Sequence, residues 1–64
     1  MNGYSRENLI DNIYSYESYM PGEIWAATVD FALKNNGVDS IEDLTDSAVE
    51  DLFNEMFDRE ADLK

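Results

Sequence analysis

Four acids in the last quarter of the chain have a type and spacing that invite a chemical reading. Asp51, Glu55, Asp58 and Asp62 recur at steps of four, three and four. This is the spacing of neighbours on one helix surface, where side chains on successive turns stand ~5–6 Å apart. Such a row approaches the spacing of phosphates along a nucleic-acid strand, and it is suited to charge-assisted hydrogen bonds with Arg and Lys side chains. Glu50, Asp46 and Asp43 extend the negative field toward the start of the same segment. Capping and the helix dipole account for acids at Asp43 and Asp46, but not for Asp58, Glu60 and Asp62, which fall near a C-terminus where the dipole disfavours negative charge. A local departure from what stabilises a helix points to function. The plain alternative is a solvated face that only keeps the chain soluble.

Composition narrows the chemistry further. The 64 residues carry 15 Asp and Glu against 4 Lys and Arg, a formal net charge of −11, with no His and no Cys. Without these residues there is no thiolate nucleophile or zinc-thiolate site, and the commonest general base is missing. Asp39, Asp43 and Glu50 stand at positions 1, 5 and 12 of a twelve-residue EF-hand frame, but Ile41 occupies position 3 and Leu44 stands where the turn requires Gly. Dedicated calcium binding is therefore not expected, and only weak, non-specific divalent association with the acidic face remains. No Gly-rich phosphate loop and no G-x-S-x-G occurs. The expectation is a chain that is not an enzyme and takes no cofactor or dedicated metal. A charge this negative also argues against direct contact with nucleic acid or anionic membrane.

Aromatic residues supply the second kind of contact chemistry. Tyr4, Tyr14, Tyr16 and Tyr19 fall in the first twenty residues, with Trp25 close behind. Tyr16 and Trp25 are read as core. Tyr14 and Tyr19 lie toward the edge of an apolar stripe, and exposed Tyr beside acids is characteristic of interface anchors. The candidate partner-binding set is therefore Asp43, Asp46, Glu50, Asp51, Glu55, Asp58 and Asp62, with Tyr14 and Tyr19.

The elements that must position these residues are helical. Hydrophobic content of 44% and aromatic content of 12% argue for a folded domain rather than an acidic disordered tail. The breaks are Pro21-Gly22 and Asn35-Asn36-Gly37. A first helix is predicted over about residues 5–18, capped by Ser5, with Leu9, Ile13, Tyr16 and Met20 on one face, widened by Ile10 and Tyr14. A second is predicted over about 21–35, with Pro21 at its first position. Ile24, Trp25, Thr28, Phe31 and Ala32 share one side of it, flanked by Val29, Leu33 and Ala27. A helix apolar over most of its circumference is expected to be the central, most buried one. Gly37 supplies the left-handed residue that ends it, and Val38 folds back as the apolar contact of a Schellman cap.

A short turn at about 40–43 follows, read as a capping box with Asp39 as cap and Glu42 as its partner. Ile41 and Leu44 tuck inward. Thr45 caps a third helix over about 46–62 whose apolar stripe is Val49, Leu52, Phe53, Met56 and Phe57, with Leu63 as a last contact. On this reading the acids of Asp51, Glu55, Asp58 and Asp62 lie opposite that stripe. The fold class is all-α, a small three-helix bundle forming a single domain over residues 1–64. A chain this short is marginally stable, and dimerisation would relieve that.

Charge is concentrated. Residues 39–62 hold ten acids and one base, Arg59, whereas residues 1–32 hold five acids and Arg6. In size, acidity and lack of catalytic residues the whole chain resembles the small proteins with which bacteriophages and mobile elements block host defence, including anti-restriction and anti-CRISPR proteins that imitate DNA. The resemblance rests on global properties and implies no residue roles. It implies an inhibitor whose partner is a host nucleic-acid-binding protein with a basic surface. The alternative is a non-catalytic structural or regulatory module that homodimerises or docks into a larger assembly. The first ten residues lack the basic and apolar regions of a secretory signal, and no apolar run approaches a membrane span, so a cytoplasmic location is expected.

Overall fold

The computed structural model describes residues 5–63, and Tyr4 lies outside them. Among the described residues the chain forms three α-helices and no strand: α1 (Arg6–Ser15), α2 (Gly22–Asn36) and α3 (Asp46–Asp62). A 3-10 turn at Tyr16–Ser18 follows α1, and a second at Ile41–Asp43 precedes α3. This is the expected three-helix bundle. It is flat, with extents of 31 × 27 × 15 Å.

Local chemistry explains the boundaries. The Ser5 hydroxyl accepts the Asn8 N–H at 3.2 Å, and the Thr45 hydroxyl accepts the Ala48 N–H at 3.2 Å, so both predicted caps satisfy an otherwise orphaned donor. The first helix tightens into a 3-10 turn after Ser15 instead of running on to residue 18. Pro21 sits as the N-terminal cap of α2, one position before its predicted place. Gly37 takes φ 65°, a left-handed conformation costly for a residue with a Cβ. The Val38 N–H then donates to the Leu33 carbonyl and the Gly37 N–H to that of Lys34, at 3.1 and 3.3 Å, which is the Schellman pattern. The capping box expected before α3 does not form, since the cap of the 3-10 turn makes no side-chain bond to a backbone N–H. Ser40, not Asp39, is the cap, and its hydroxyl donates to the Asp43 carboxylate at 3.0 Å.

The core is Leu9, Ile13 and Met20 from the first segment, Val29 from α2, Ile41 and Leu44 from the connection, and Ala48, Val49, Leu52 and Met56 from α3. The Trp25 indole N–H donates to the Ile13 carbonyl at 2.8 Å, and Trp25 and Tyr16 pack partly buried against this cluster. α1 and α2 both pack on α3. The central helix is therefore α3 and not α2, a correction to the expectation from hydrophobicity. Two of the largest fully buried side chains, Val49 and Met56, are on α3, whereas Phe31 of α2 is 67% exposed. A chain this short buries too little surface to enclose a helix on all sides. α2 lies at the margin of a slab, so one side of its apolar circumference faces solvent. Phe57 and Leu63, assigned to the α3 stripe, are exposed for the same reason: α1 and α2 cover only part of α3's girth.

This hierarchy has a measurable consequence. Met56→Ala deletes a fully buried side chain and should cost ~2–5 kcal/mol. Phe31→Ala should cost about 0.5 kcal/mol or less, as expected of a surface change. Denaturant unfolding of the two variants reads the difference directly, and a larger loss for Phe31→Ala would return α2 to the centre.

Candidate functional site

Every cation among the described residues is already engaged inside the chain. Arg6 Nη1 lies 3.1 Å from an Asp46 oxygen, Lys34 Nζ 3.0 Å from Asp30, and Arg59 Nε 2.9 Å from Glu55. Asp51, Asp58 and Asp62, like Glu50, make no ion pair or side-chain hydrogen bond among the described residues. They are exposed on α3, the helix on which α1 and α2 both pack. Burial of Val49, Leu52 and Met56 fixes the helix's rotation, and that rotation aims the acids at solvent.

The four-residue row is not diametrically opposite the apolar stripe as expected. At 100° per residue it lies about a third of a turn from the centre of the buried face, on the side toward α2. Asp51 and Glu55 accordingly form one wall of a groove between α2 and α3 that encloses about 200 Å³. Its other wall includes Phe31. Glu55 is the partly compensated member of the row, because one of its carboxylate oxygens accepts from Arg59.

The remaining candidates occupy a separate place. Arg6 reaches from α1 to the start of α3, pairing with Asp46 and donating to the Glu42 carbonyl at 2.6 Å. The Tyr14 hydroxyl donates to the Glu42 carboxylate at 2.8 Å, and its ring lies 6.2 Å from that of Trp25. Asp43 is held by Ser40. Asp46, Asp43 and Tyr14 are thus tied into contacts that join α1, the connection and α3. They stand near one end of α3, with Asp62 about 24 Å away along its axis. Tyr19 is 69% exposed, and its ring stands 6.5 Å from and edge-on to Tyr16. Glu50 projects from α3 about 100° away from Asp51. The structure therefore brings together Asp51, Glu55, Asp58 and Asp62 but does not merge them with Asp43, Asp46, Tyr14 and Tyr19.

Sequence reasoning missed Phe31 as a surface residue, and it missed Arg6 and Glu42 as the partners of Asp46 and Tyr14. Arg6 and Asp46 are forty residues apart, so no helical periodicity could join them. Among the described residues no group of three or more His, Cys, Asp and Glu is arranged to hold a metal ion. No described helix is long and apolar enough to cross a membrane. No protein-family model, curated protein or solved structure matches the chain.

The Tyr14–Glu42 contact can be read by titration. The hydrogen bond to the carboxylate, then burial and the nearby negative charge, raise the Tyr14 pKa above its ordinary 10.0. Because the folded-state value is raised, the contribution of this bond is fully present below pH 10 and is lost as pH rises through the raised value. The difference in tyrosinate absorbance between the parent chain and Tyr14→Phe should show a midpoint above 10.0, and Glu42→Gln should lower it. A midpoint at or below 10.0 in the parent chain would mean that the bond does not persist in solution.

Proposed function

We propose that the chain is a small, non-catalytic inhibitor that covers a basic nucleic-acid-binding surface of another protein and so excludes the nucleic acid. The supporting observation is the ridge of Asp51, Asp58 and Asp62 on α3, which pairs with no cation among the described residues. Carboxylates held on a rigid helix present hydrogen-bond acceptors at fixed intervals, so an Arg- or Lys-lined groove can meet several at once. The excess negative charge would steer encounter and make it salt-dependent. The biological setting that fits is a phage or mobile element acting in a host cytoplasm, as DNA-mimicking anti-restriction and anti-CRISPR proteins do.

A second reading is favoured by a different observation. Phe31, Phe57 and Tyr19 are large apolar side chains left exposed on a small surface. A structural or regulatory module that pairs with itself or docks into an assembly would cover them, leaving the acids for solubility.

Capture from a bacterial lysate on the immobilised chain separates the two. Nucleic-acid-binding proteins should be retained at low salt, released at high salt and displaced by duplex DNA. Charge reversal at Asp51, Glu55 and Asp58 should abolish retention. Retention that survives the reversal, or no enrichment of such proteins, would overturn the inhibitor reading. Sedimentation that shows a tight dimer insensitive to salt would favour the second reading.

A further inference from the structure

We infer that the groove between α2 and α3 is a socket for one arginine side chain of the partner. This deepens the docking reading and rests on it, because it names the side chain that anchors a basic surface beside the ridge.

The groove arises from two matched ridges. Thr28, Phe31, Ala32 and Asn35 recur on α2 at i, i+3, i+4 and i+7, and Ala48, Asp51, Leu52 and Glu55 do the same on α3. Where the ridges face one another, Ala32 and Ala48 are too small to fill the space, which leaves the opening of about 200 Å³. That volume suits a single long side chain and not a helix. The buried Ala48 and Leu52 give it an apolar floor, and the exposed Phe31 gives it an aromatic wall.

The charge on the opposite wall selects the occupant. Asp51 pairs with no cation among the described residues, and Glu55 keeps one carboxylate oxygen while the other accepts from Arg59 at 2.9 Å. Arg59 shows, within the molecule, that this wall pairs with a guanidinium. Asn36 donates its amide N–H to the Ala32 carbonyl at 2.7 Å, which leaves its Oδ1 as a further acceptor at the rim.

An entering side chain therefore needs an apolar stem for the floor, a flat cation to lie against Phe31 and several N–H donors for Asp51, Glu55 and Asn36. Arginine has all three features. Lysine has the stem and the charge, but not the planar fork that stacks on a ring and reaches two acceptors together. An acidic ligand would be repelled, and a purely apolar one would cover the Asp51 carboxylate without giving it a partner.

The test is an NMR titration of the full chain with three capped tripeptides, acetyl-Gly-X-Gly-amide, where X is arginine, lysine or citrulline. Citrulline keeps the shape of arginine and removes the charge. Amide shifts should concentrate at Thr28, Ala32 and Leu52 with the arginine peptide, be weaker with lysine and vanish with citrulline. Phe31→Ala, a change at an exposed position, should weaken arginine binding ~2–5-fold. Asp51→Asn should weaken it more than Asp58→Asn, although both remove one charge from the same ridge.

Equal losses in these two variants would overturn the socket. So would equal binding of the arginine and lysine peptides with Phe31→Ala unaffected, or shifts confined to the outer acids, and in each case general attraction of cations to the ridge would still stand. A socket that binds the arginine peptide while the lysate capture yields no nucleic-acid-binding protein would instead sink the inhibitor reading alone.

Discussion

α3 is both the packing hub and the main bearer of charge, and the rest of the structure follows from that double duty. α1 and α2 both pack on its Ala48, Val49, Leu52 and Met56 face. Core burial therefore fixes how the helix is rotated, and Asp51, Asp58 and Asp62 fall off that face into solvent. Acids placed on this helix are presented on a backbone held by packing against two others, with less conformational entropy to lose when they meet a partner. Stiffness also carries a cost, because neighbouring carboxylates cannot move apart.

The few bases act against that cost only locally. Arg6 joins α1 to the Glu42 carbonyl and to Asp46, close to where Thr45 caps α3. It therefore works as a clasp between distant parts of the chain. Lys34 and Arg59 make i,i+4 pairs within their own helices. Exposed pairs of this kind contribute ~0.2–1 kcal/mol each, and neither reaches Asp51, Asp58 or Asp62. Among the described residues Arg6 serves the start of α3, Lys34 the latter half of α2 and Arg59 its neighbour Glu55, while Asp58 and Asp62 pair with none of them. Charge and shape then converge at the α2–α3 groove, where the ridge turns inward beside an exposed ring.

Local signals in the sequence were legible wherever the physics was local. Ser5, Thr45 and Gly37 ended or began helices as their side chains and backbone freedom require. Ile41 and Leu44 turned inward as the amphipathic pattern implied, and the row from Asp51 to Asp62 could be placed on one helix surface by counting. What failed depended on neighbours. Hydrophobicity alone made α2 central, but only packing decides which apolar side finds a partner, so Phe31 and Phe57 went to solvent. The offset of the acid row from the buried face, and hence its share in the groove, required knowing where α2 lies. Ser40 stands at the cap position in place of Asp39, and its hydroxyl donates to the Asp43 carboxylate instead of capping a backbone N–H. The Arg6 clasp spans forty residues and had no signature to read.

The central claim is that Asp51, Asp58 and Asp62 of α3 pair with no cation among the described residues and store repulsion that a basic partner would relieve. The thermal midpoint of the isolated chain as a function of sodium chloride, from dilute buffer to moderate salt at neutral pH, tests it most directly. Screening over a Debye length of ~30 Å at 0.01 M and ~10 Å at 0.1 M should raise the midpoint, and neutralising Asp58 and Asp62 as Asn should shrink that rise. A midpoint that stays flat or falls with salt would show that the acids are already balanced, and the account of an open acidic ridge would be contradicted.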